Sequence, residues 1–442
     1  MERTPHTAPP AARRGGDRDI WSACVHCGLC LPSCPTYRVT GREELSPRGR
    51  VFLARLVDEG LLPEDDADRV MAMESCLDCR ACEVVCPSGV RVGHLVERAR
   101  ERLAGRLPGP WRRRWAHRLV RGFVAHPGRW PRLARLGRLW QRGRLGRLPD
   151  RLLRRLPAPW PELAEALPPL SGLTVRASAP AVTPARPPVR ARVALFAGCV
   201  QDVAFGAVNE AARRVLAYVG CEVVVTRAQG CCGALSRDMG DGETARALAR
   251  RNLAAFAAVQ ADYVVTAVGG CGAMLREYPV LFAHEPARVA EAQAFARRVV
   301  DVSQLLVRLG PLPAAKPLPL RVAYHDSCHL AHVMGVRAEP RALLAAIPGV
   351  ELVELGEGPA CCGSAGTYNL EHPEMSARIL ERKIDSVPEG VDAVATGNPG
   401  CALQLAVGLG RRGRRVRVVH PIRLLAAAYG LDEIPADEGG GP

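Results

Sequence analysis

One cysteine spacing, used twice near the N-terminus, constrains this chain more than any other feature of it. Cys24, Cys27, Cys30 and Cys34-Pro35, then Cys76, Cys79, Cys82 and Cys86-Pro87, each read C-x2-C-x2-C-x3-C-P. Three thiols at two-residue intervals let one loop wrap three corners of a 4Fe-4S cube, while the fourth, sent away by its proline, reaches the neighbouring cube. The spacing therefore predicts two 4Fe-4S clusters with exchanged ligands: Cys24, Cys27, Cys30 and Cys86 on one, and Cys76, Cys79, Cys82 and Cys34 on the other. Zinc sites also use C-x2-C pairs, but zinc leaves the third cysteine and the Cys-Pro unexplained in both copies. Disulfides fit less well still. Seventeen cysteines is an odd number, and residues 1–19 are polar and proline-rich with no apolar signal core, so the thiols point to a reducing cytoplasm.

A length of 442 residues implies two to four domains. No uncharged apolar run approaches the roughly 20 residues that span a bilayer, so an integral membrane protein is not expected. The formal net charge of +15 is concentrated in one place: residues 100–155 hold 18 arginines and two acids, a local +16. That segment also carries Trp111, Trp115, Trp130 and Trp140, with Leu133, Leu136 and Leu139 at helical intervals, and predicts short amphipathic helices broken at Pro127, Pro131 and Pro149. Its charge suits anionic lipid headgroups, a docking surface for partner subunits, or a solvated connector. No nucleic-acid recognition motif accompanies it, so no nucleic-acid partner is expected. Residues 171–188, rich in Pro, Ala and Ser, read as a linker.

Eight of the nine remaining cysteines belong to an internal repeat. Residues 192–199 (RVALFAGC) align with 321–328 (RVAYHDSC) at an offset of 129; Cys231-Cys232-Gly233 aligns with Cys361-Cys362-Gly363, and Cys271 with Cys401, at 130. Cys221 has no counterpart and reads as a small buried thiol. In the first copy, apolar runs at 193–196, 222–226 and 263–268 alternate with helical stretches at 203–218 and 242–260. In the second, runs at 322–325, 350–355, 393–396 and 416–419 are separated by helices. Strict alternation implies a parallel sheet covered by helices, twice over, in two units related by a pseudo-twofold. Cys199, the pair Cys231 and Cys232, and Cys271 all follow strands, as do Cys328, Cys361, Cys362 and Cys401. In an open parallel sheet those positions share one edge, so four thiols per repeat are expected to converge, with Gly233 and Gly363 allowing the sharp turn after each cysteine pair. The copies differ around Cys328, where His325, Asp326, Ser327, His329 and His332 stand against Phe196, Ala197, Gly198 and Val200 near Cys199. The polar set suits a ligand, a proton carrier or a quinone-facing pocket.

With these residues in view, the chain resembles the iron-sulfur subunit of bacterial glycolate oxidase, a glycolate dehydrogenase. The resemblance runs from residues 24–30 (CVHCGLC) through 46–50 (SPRGR) and 86–89 (CPSG) to 361–368 (CCGSAGTY), and is weakest in the Arg-rich middle. It implies an electron carrier in a complex with FAD-containing subunits that oxidise glycolate to glyoxylate and pass electrons toward the respiratory chain. The Cys-Cys-Gly domains are also similar to those of heterodisulfide reductase, whose non-cubane cluster takes five cysteines. Here Val268 and Asn398 occupy the first position of the closing C-x2-C, leaving four thiols per repeat. A further iron-sulfur cluster, a structural zinc or an empty site are all compatible with that set.

The organisation expected is multidomain: a flexible tail at 1–20; an all-α, ferredoxin-like two-cluster module at 21–105; an Arg/Trp-rich helical segment and Pro/Ala linker at 106–190; and two α/β Cys-Cys-Gly domains at 191–310 and 311–435. The 42-residue interval between Cys34 and Cys76 resembles the helical ferredoxin module of respiratory dehydrogenases. No G-x-G-x-x-G follows a strand, so flavin or nicotinamide chemistry is assigned to a partner and electron transfer to this chain. Other readings are the iron-sulfur subunit of a D-lactate or glycerol-3-phosphate dehydrogenase complex, and a thiol or quinone reductase acting at the Cys-Cys-Gly site. A cytoplasmic protein is expected, with peripheral attachment to the inner face of the membrane and a quinone acceptor as its extension.

Overall fold

The computed structural model describes residues 17–104, 111–142, 170 and 174–433. They form two compact units, Met1–Pro108 with Asp238–Gly240, and Gly109–Arg237 with Asp241–Pro442.

In the first unit the described residues are helical, with no strand among them. Pro35, following Cys34, opens the helix Pro35–Thr40, where its fixed φ and missing N–H suit the first turn. Ser46 caps the helix Pro47–Asp58 by accepting from Gly49 N at 3.0 Å. The helix Val92–Leu103 buries Leu95, Val96, Ala99 and Leu103 on one face. Leu95, Val96 and Ala99 pack with Ile20, Val51, Ala54 and Met73 into a small core, and Cys24, Cys76, Cys82 and Cys86 lie against it.

The second unit contains the expected duplicated α/β architecture. In the first repeat the sheet order is β1-β3-β2-β4-β5: β1 (Val182–Thr183), β2 (Ala191–Phe196), β3 (Cys221–Val224), β4 (Tyr263–Thr266) and β5 (Val299–Asp301). In the second it is β7-β6-β8-β9: β6 (Leu320–His325), β7 (Val350–Glu354), β8 (Ala393–Thr396) and β9 (Arg417–Val419). All pairings are parallel except that of β1 with β3. The register repeats as well, with Phe196 opposite Thr266 and His325 opposite Thr396. Asp262 accepts from Arg192 N at 2.8 Å and Asp392 from Arg321 N at 2.7 Å, the same side-chain latch in both copies. Apolar residues of both sheets share one core, in which the helices Gly206–Tyr218 and Pro421–Ala428 meet.

Several local expectations change. The helix expected over 203–218 is two, Val200–Ala204 and Gly206–Tyr218, broken where Phe205 turns inward and is buried. The strand β5 is too short for an alternation signal. Within the stretch read as a linker, Val175–Ser178 forms a helical turn held by Asp202, which accepts from Val175 N at 2.7 Å, and β1 adds an antiparallel edge. In the Arg-rich segment, helices run over Trp111–Ala125 and Trp130–Arg142. Pro127 lies in a 3-10 turn between them, whereas Pro131 sits in the first turn of the second helix, where proline is tolerated; Pro149 is outside the described residues. Trp130 is fully buried: its Nε1 donates to Phe123 O at 2.8 Å and Arg176 stacks over its ring, so it serves packing. Leu133, Leu136 and Leu139 are exposed. No helix among the described residues is long and apolar enough to cross a membrane.

Candidate functional site

The two N-terminal cysteine loops are built alike in their backbones. His26 and Gly28 in the first have positive φ, and so do Asp78 and Arg80, the residues 52 positions later in the second. A left-handed residue on either side of the middle cysteine curls each loop around a centre, an arrangement glycine adopts freely and the other three residues adopt at a cost. Backbone amides turn toward sulfur in the second loop, where Asp78 N donates to Cys76 Sγ and Val90 N to Cys86 Sγ, each at 3.4 Å.

Two cavities result. One is lined by Cys24, Cys27, Cys30, Cys82 and Cys86; the other by Cys34, Cys76, Cys79 and Cys82. Each fourth cysteine, Cys86 or Cys34, thus lies in the cavity of the opposite loop, and Cys82 faces both. Burial pushes the Cys76 and Cys82 thiols up, with Arg50 opposing the rise in both. Arg50 is itself buried; burial works against its charge, but Cys76 and Cys34 more than restore it. Its Nε donates to Ala72 O at 2.7 Å and Nη2 to Thr36 Oγ1 at 3.1 Å, which aims the guanidinium at Cys34. Arg100, also buried, donates to the carbonyls of Glu74 and Cys76. Arg80 joins Asp78 at 2.8 Å and Glu97 at 2.7 Å. Five thiols around one cavity and four around the other, with buried cations beside the second and an amide directed at a sulfur of each, suit anionic thiolate-ligated iron clusters. Sequence reasoning singled out none of these arginines for a role at the clusters. Arg50 lies in the SPRGR motif beside Gly49, where a Cβ would sit 2.0 Å from Glu43 O.

In the second unit the eight repeat cysteines gather into two sets. Cys199 and Cys231 bring their sulfurs to 3.3 Å, and Cys231, Cys232 and Cys271 continue the chain of thiol contacts. Hydrogen bonds from Cys231 and Cys271 hold Cys232 well below the usual thiol range, while Cys231 is pushed up by its bonds with Cys199 and Cys232 and by burial, and Cys271 by its bond with Cys232 and by burial. In the second set Cys361 contacts Cys328 and Cys362, and Cys362 contacts Cys401. There Cys328 lowers Cys361, but Cys362 and burial outweigh it and carry Cys361 up to about 12. So many buried thiols cannot ionise together without a cation among them, which is the condition a metal centre satisfies. Gly233 (φ +95°) and Gly363 (φ +89°) make the turns, and their amides donate to Cys231 Sγ at 3.4 Å and Cys361 Sγ at 3.5 Å.

The sets are not equivalent. On the helix behind the first turn, Asn252 accepts from Gly230 N and donates to Cys231 O, both at 2.8 Å. Behind the second stands a buried lysine, Lys383, which donates to the carbonyls of Glu357 and Gly358. The seam between repeats runs beside both sets: Gly269 N donates to Gly397 O at 3.0 Å, and Asn398 accepts from Gly270 N at 3.1 Å while directing its amide at Cys401 Sγ, 3.7 Å away. Among the other histidines near Cys328, His329 and His332 lie on the helix Cys328–His332.

Comparison with known proteins follows the same division. The family model of a 4Fe-4S dicluster domain matches residues 20–90, and that of the CCG cysteine-rich domain matches 193–276 and 322–406. A "Probable glycolate oxidase iron-sulfur subunit" of Bacillus subtilis is 39% identical over 418 residues, 92% of this chain and 94% of that protein. A "Glycolate oxidase iron-sulfur subunit" of Escherichia coli is 32% identical over 401 residues, covering 88% and 90%. A crystal structure of a hypothetical protein from Helicobacter pylori, 10% identical, shares the fold with a TM-score of 0.51 over 91% of this chain and 71% of its own.

Proposed function

This chain belongs to the family of glycolate oxidase iron-sulfur subunits, and on that premise we propose that it is the electron-transfer member of a glycolate-oxidising complex. A partner subunit carrying FAD oxidises glycolate to glyoxylate, and this chain passes the electrons toward the respiratory chain. The ligands are Cys24, Cys27, Cys30 and Cys86 for one 4Fe-4S cluster and Cys76, Cys79, Cys82 and Cys34 for the other, with metal held also by Cys199, Cys231, Cys232 and Cys271 and by Cys328, Cys361, Cys362 and Cys401. Bound clusters supply reversible one-electron carriers. The chain's own residues fix those carriers side by side and offset the charge of the second through the buried Arg50 and Arg100.

The observation that carries this reading is the crossing of the fourth cysteines: Cys86 lines the cavity of the first loop and Cys34 that of the second. Such an exchange couples two carriers closely and serves little purpose for isolated structural metals. Delivery to a quinone at the inner face of the membrane completes the proposal, supported by the exposed Leu133, Leu136 and Leu139 on an arginine-rich helix. The test is anaerobic co-purification with native partners, followed by optical spectroscopy and quantification of iron and flavin. Glycolate should bleach the cluster absorption in the complex and leave the isolated chain unchanged. Bleaching by D-lactate and not glycolate assigns the chain to a different 2-hydroxy-acid dehydrogenase; iron far below about eight atoms per chain ends the reading.

A further inference from the structure

We propose that His325 is a metal ligand, so that the second Cys-Cys-Gly repeat holds its metal through mixed imidazole and thiolate donors while the first uses thiolates alone. His325 is the last residue of β6, and Phe196 occupies the matching place at the end of β2. His325 is fully buried, and neither ring nitrogen has a hydrogen-bond partner. An imidazole is ordinarily satisfied in a protein interior, and an orphan at this depth carries a desolvation cost that no hydrogen bond repays. Its surroundings say what repays it. A ring nitrogen of His325, Cys362 Sγ and Cys401 Sγ all lie within 4.8 Å of one another, and all three residues are buried. Cys361 contacts Cys362 and also Cys328, so the remaining sulfurs of the repeat are at hand.

With no hydrogen bond to either ring nitrogen, the His325 imidazole has a lone pair free to bind a metal. Ligation then balances simply: each thiol gives up a proton as it binds, and the imidazole donates its lone pair without losing one. Phenylalanine at position 196 can do none of this. The same strand end is therefore a packing position in one copy and a donor in the other. Imidazole with thiolates suits either zinc or an iron-sulfur centre, and the experiment separates them.

The full chain, purified anaerobically with its partners and labelled with 15N only in histidine, is reduced and studied by pulsed electron paramagnetic resonance, with X-ray absorption at the iron and zinc edges. For an iron centre the expected result is a 15N hyperfine coupling; for zinc it is a nitrogen scatterer at about 2.0 Å beside sulfur at about 2.3 Å. Either signal should survive Cys271→Ser, which alters only the first repeat, and disappear in His325→Phe, which restores the first repeat's side chain. His325→Gln gives the same readout should the phenylalanine variant fail to fold. A sulfur-only shell in the unmodified protein, no metal beyond the two N-terminal clusters, or a nitrogen signal unchanged by both His325 variants overturns the proposal. The iron of the N-terminal clusters is counted in the same samples, so failure here is distinguishable from failure of the electron-carrier reading.

Discussion

Arg50 Nη1 lies 3.8 Å from Cys34 Sγ, a buried cation set against a cysteine that lines the second cavity. Arg50→Met should lower the iron bound per chain and destabilise the protein by about 1–3 kcal/mol, because it leaves the buried Ala72 carbonyl and Thr36 hydroxyl without their donor. Arg50→Lys keeps the charge but loses the fork that reaches Ala72 O and Thr36 together, and should fall between. Iron analysis and thermal unfolding under anaerobic conditions measure both. A methionine variant with full iron and unchanged stability would show that the cation is dispensable.

Two glycines give opposite expectations. At Gly49 an added Cβ would meet Glu43 O at 2.0 Å, whereas at Gly122, inside the helix Trp111–Ala125, it meets nothing within 4 Å. Gly49→Ala should destabilise by about 1–3 kcal/mol through forced backbone movement. Gly122→Ala should stabilise by about 0.5–1 kcal/mol through helix propensity. Chemical denaturation of the two variants beside the parent checks the difference in sign.

Asp301, buried at the end of β5, has its carboxyl pushed up to about 6 by burial, against the hydrogen bonds from Ser303 that favour the ionised form. The folded protein therefore holds a proton that the unfolded chain releases near pH 4. Stability from this group is greatest below about pH 4, falls as pH rises toward 6, and stays reduced above that. Asp301→Asn keeps a capping oxygen for the helix Val302–Arg308 and removes the titration. Its stability relative to the parent should rise across pH 4–6 and reach at most about 3 kcal/mol at pH 7. A difference independent of pH would mean that Asp301 ionises normally.

Cys221 and Cys271 are both buried, yet their replacement should have different results. Cys221 sits within β3, its thiol raised to about 11 by burial. Cys221→Ala should cost about 1 kcal/mol for the lost packing and leave metal content unchanged. Cys271→Ala removes a thiol that contacts Cys232, and should change metal content or spectrum with the fold retained. Metal analysis of the two variants in parallel decides the point.

The features legible in the sequence were those carried by spacing. Cysteine intervals located both N-terminal loops, and the 130-residue offset found the duplicated sheets with nearly correct strands, because parallel strands are continuous apolar runs set between helices. What escaped was of two kinds. Short elements such as β1 and β5 are defined by their neighbours, and two or three residues carry no periodicity. The side chains around the cavities escaped for a different reason: Arg50, Arg100 and Lys383 look like surface cations in a list of residues, and only burial reveals their place. Trp130 erred in the opposite direction, an apparent interfacial aromatic that proves to be core. His325 stands out in the sequence for its chemistry, but its lack of any hydrogen-bond partner is visible only in three dimensions.

The backbone bond from Gly269 N to Gly397 O, with Leu330 pressed against Gly269 so closely that a Cβ there would come within 2.8 Å, has a consequence for anyone dissecting this protein. The duplicated halves have ceased to be interchangeable parts: each completes the other's wall, and expressing one alone would strip away a surface it cannot supply for itself.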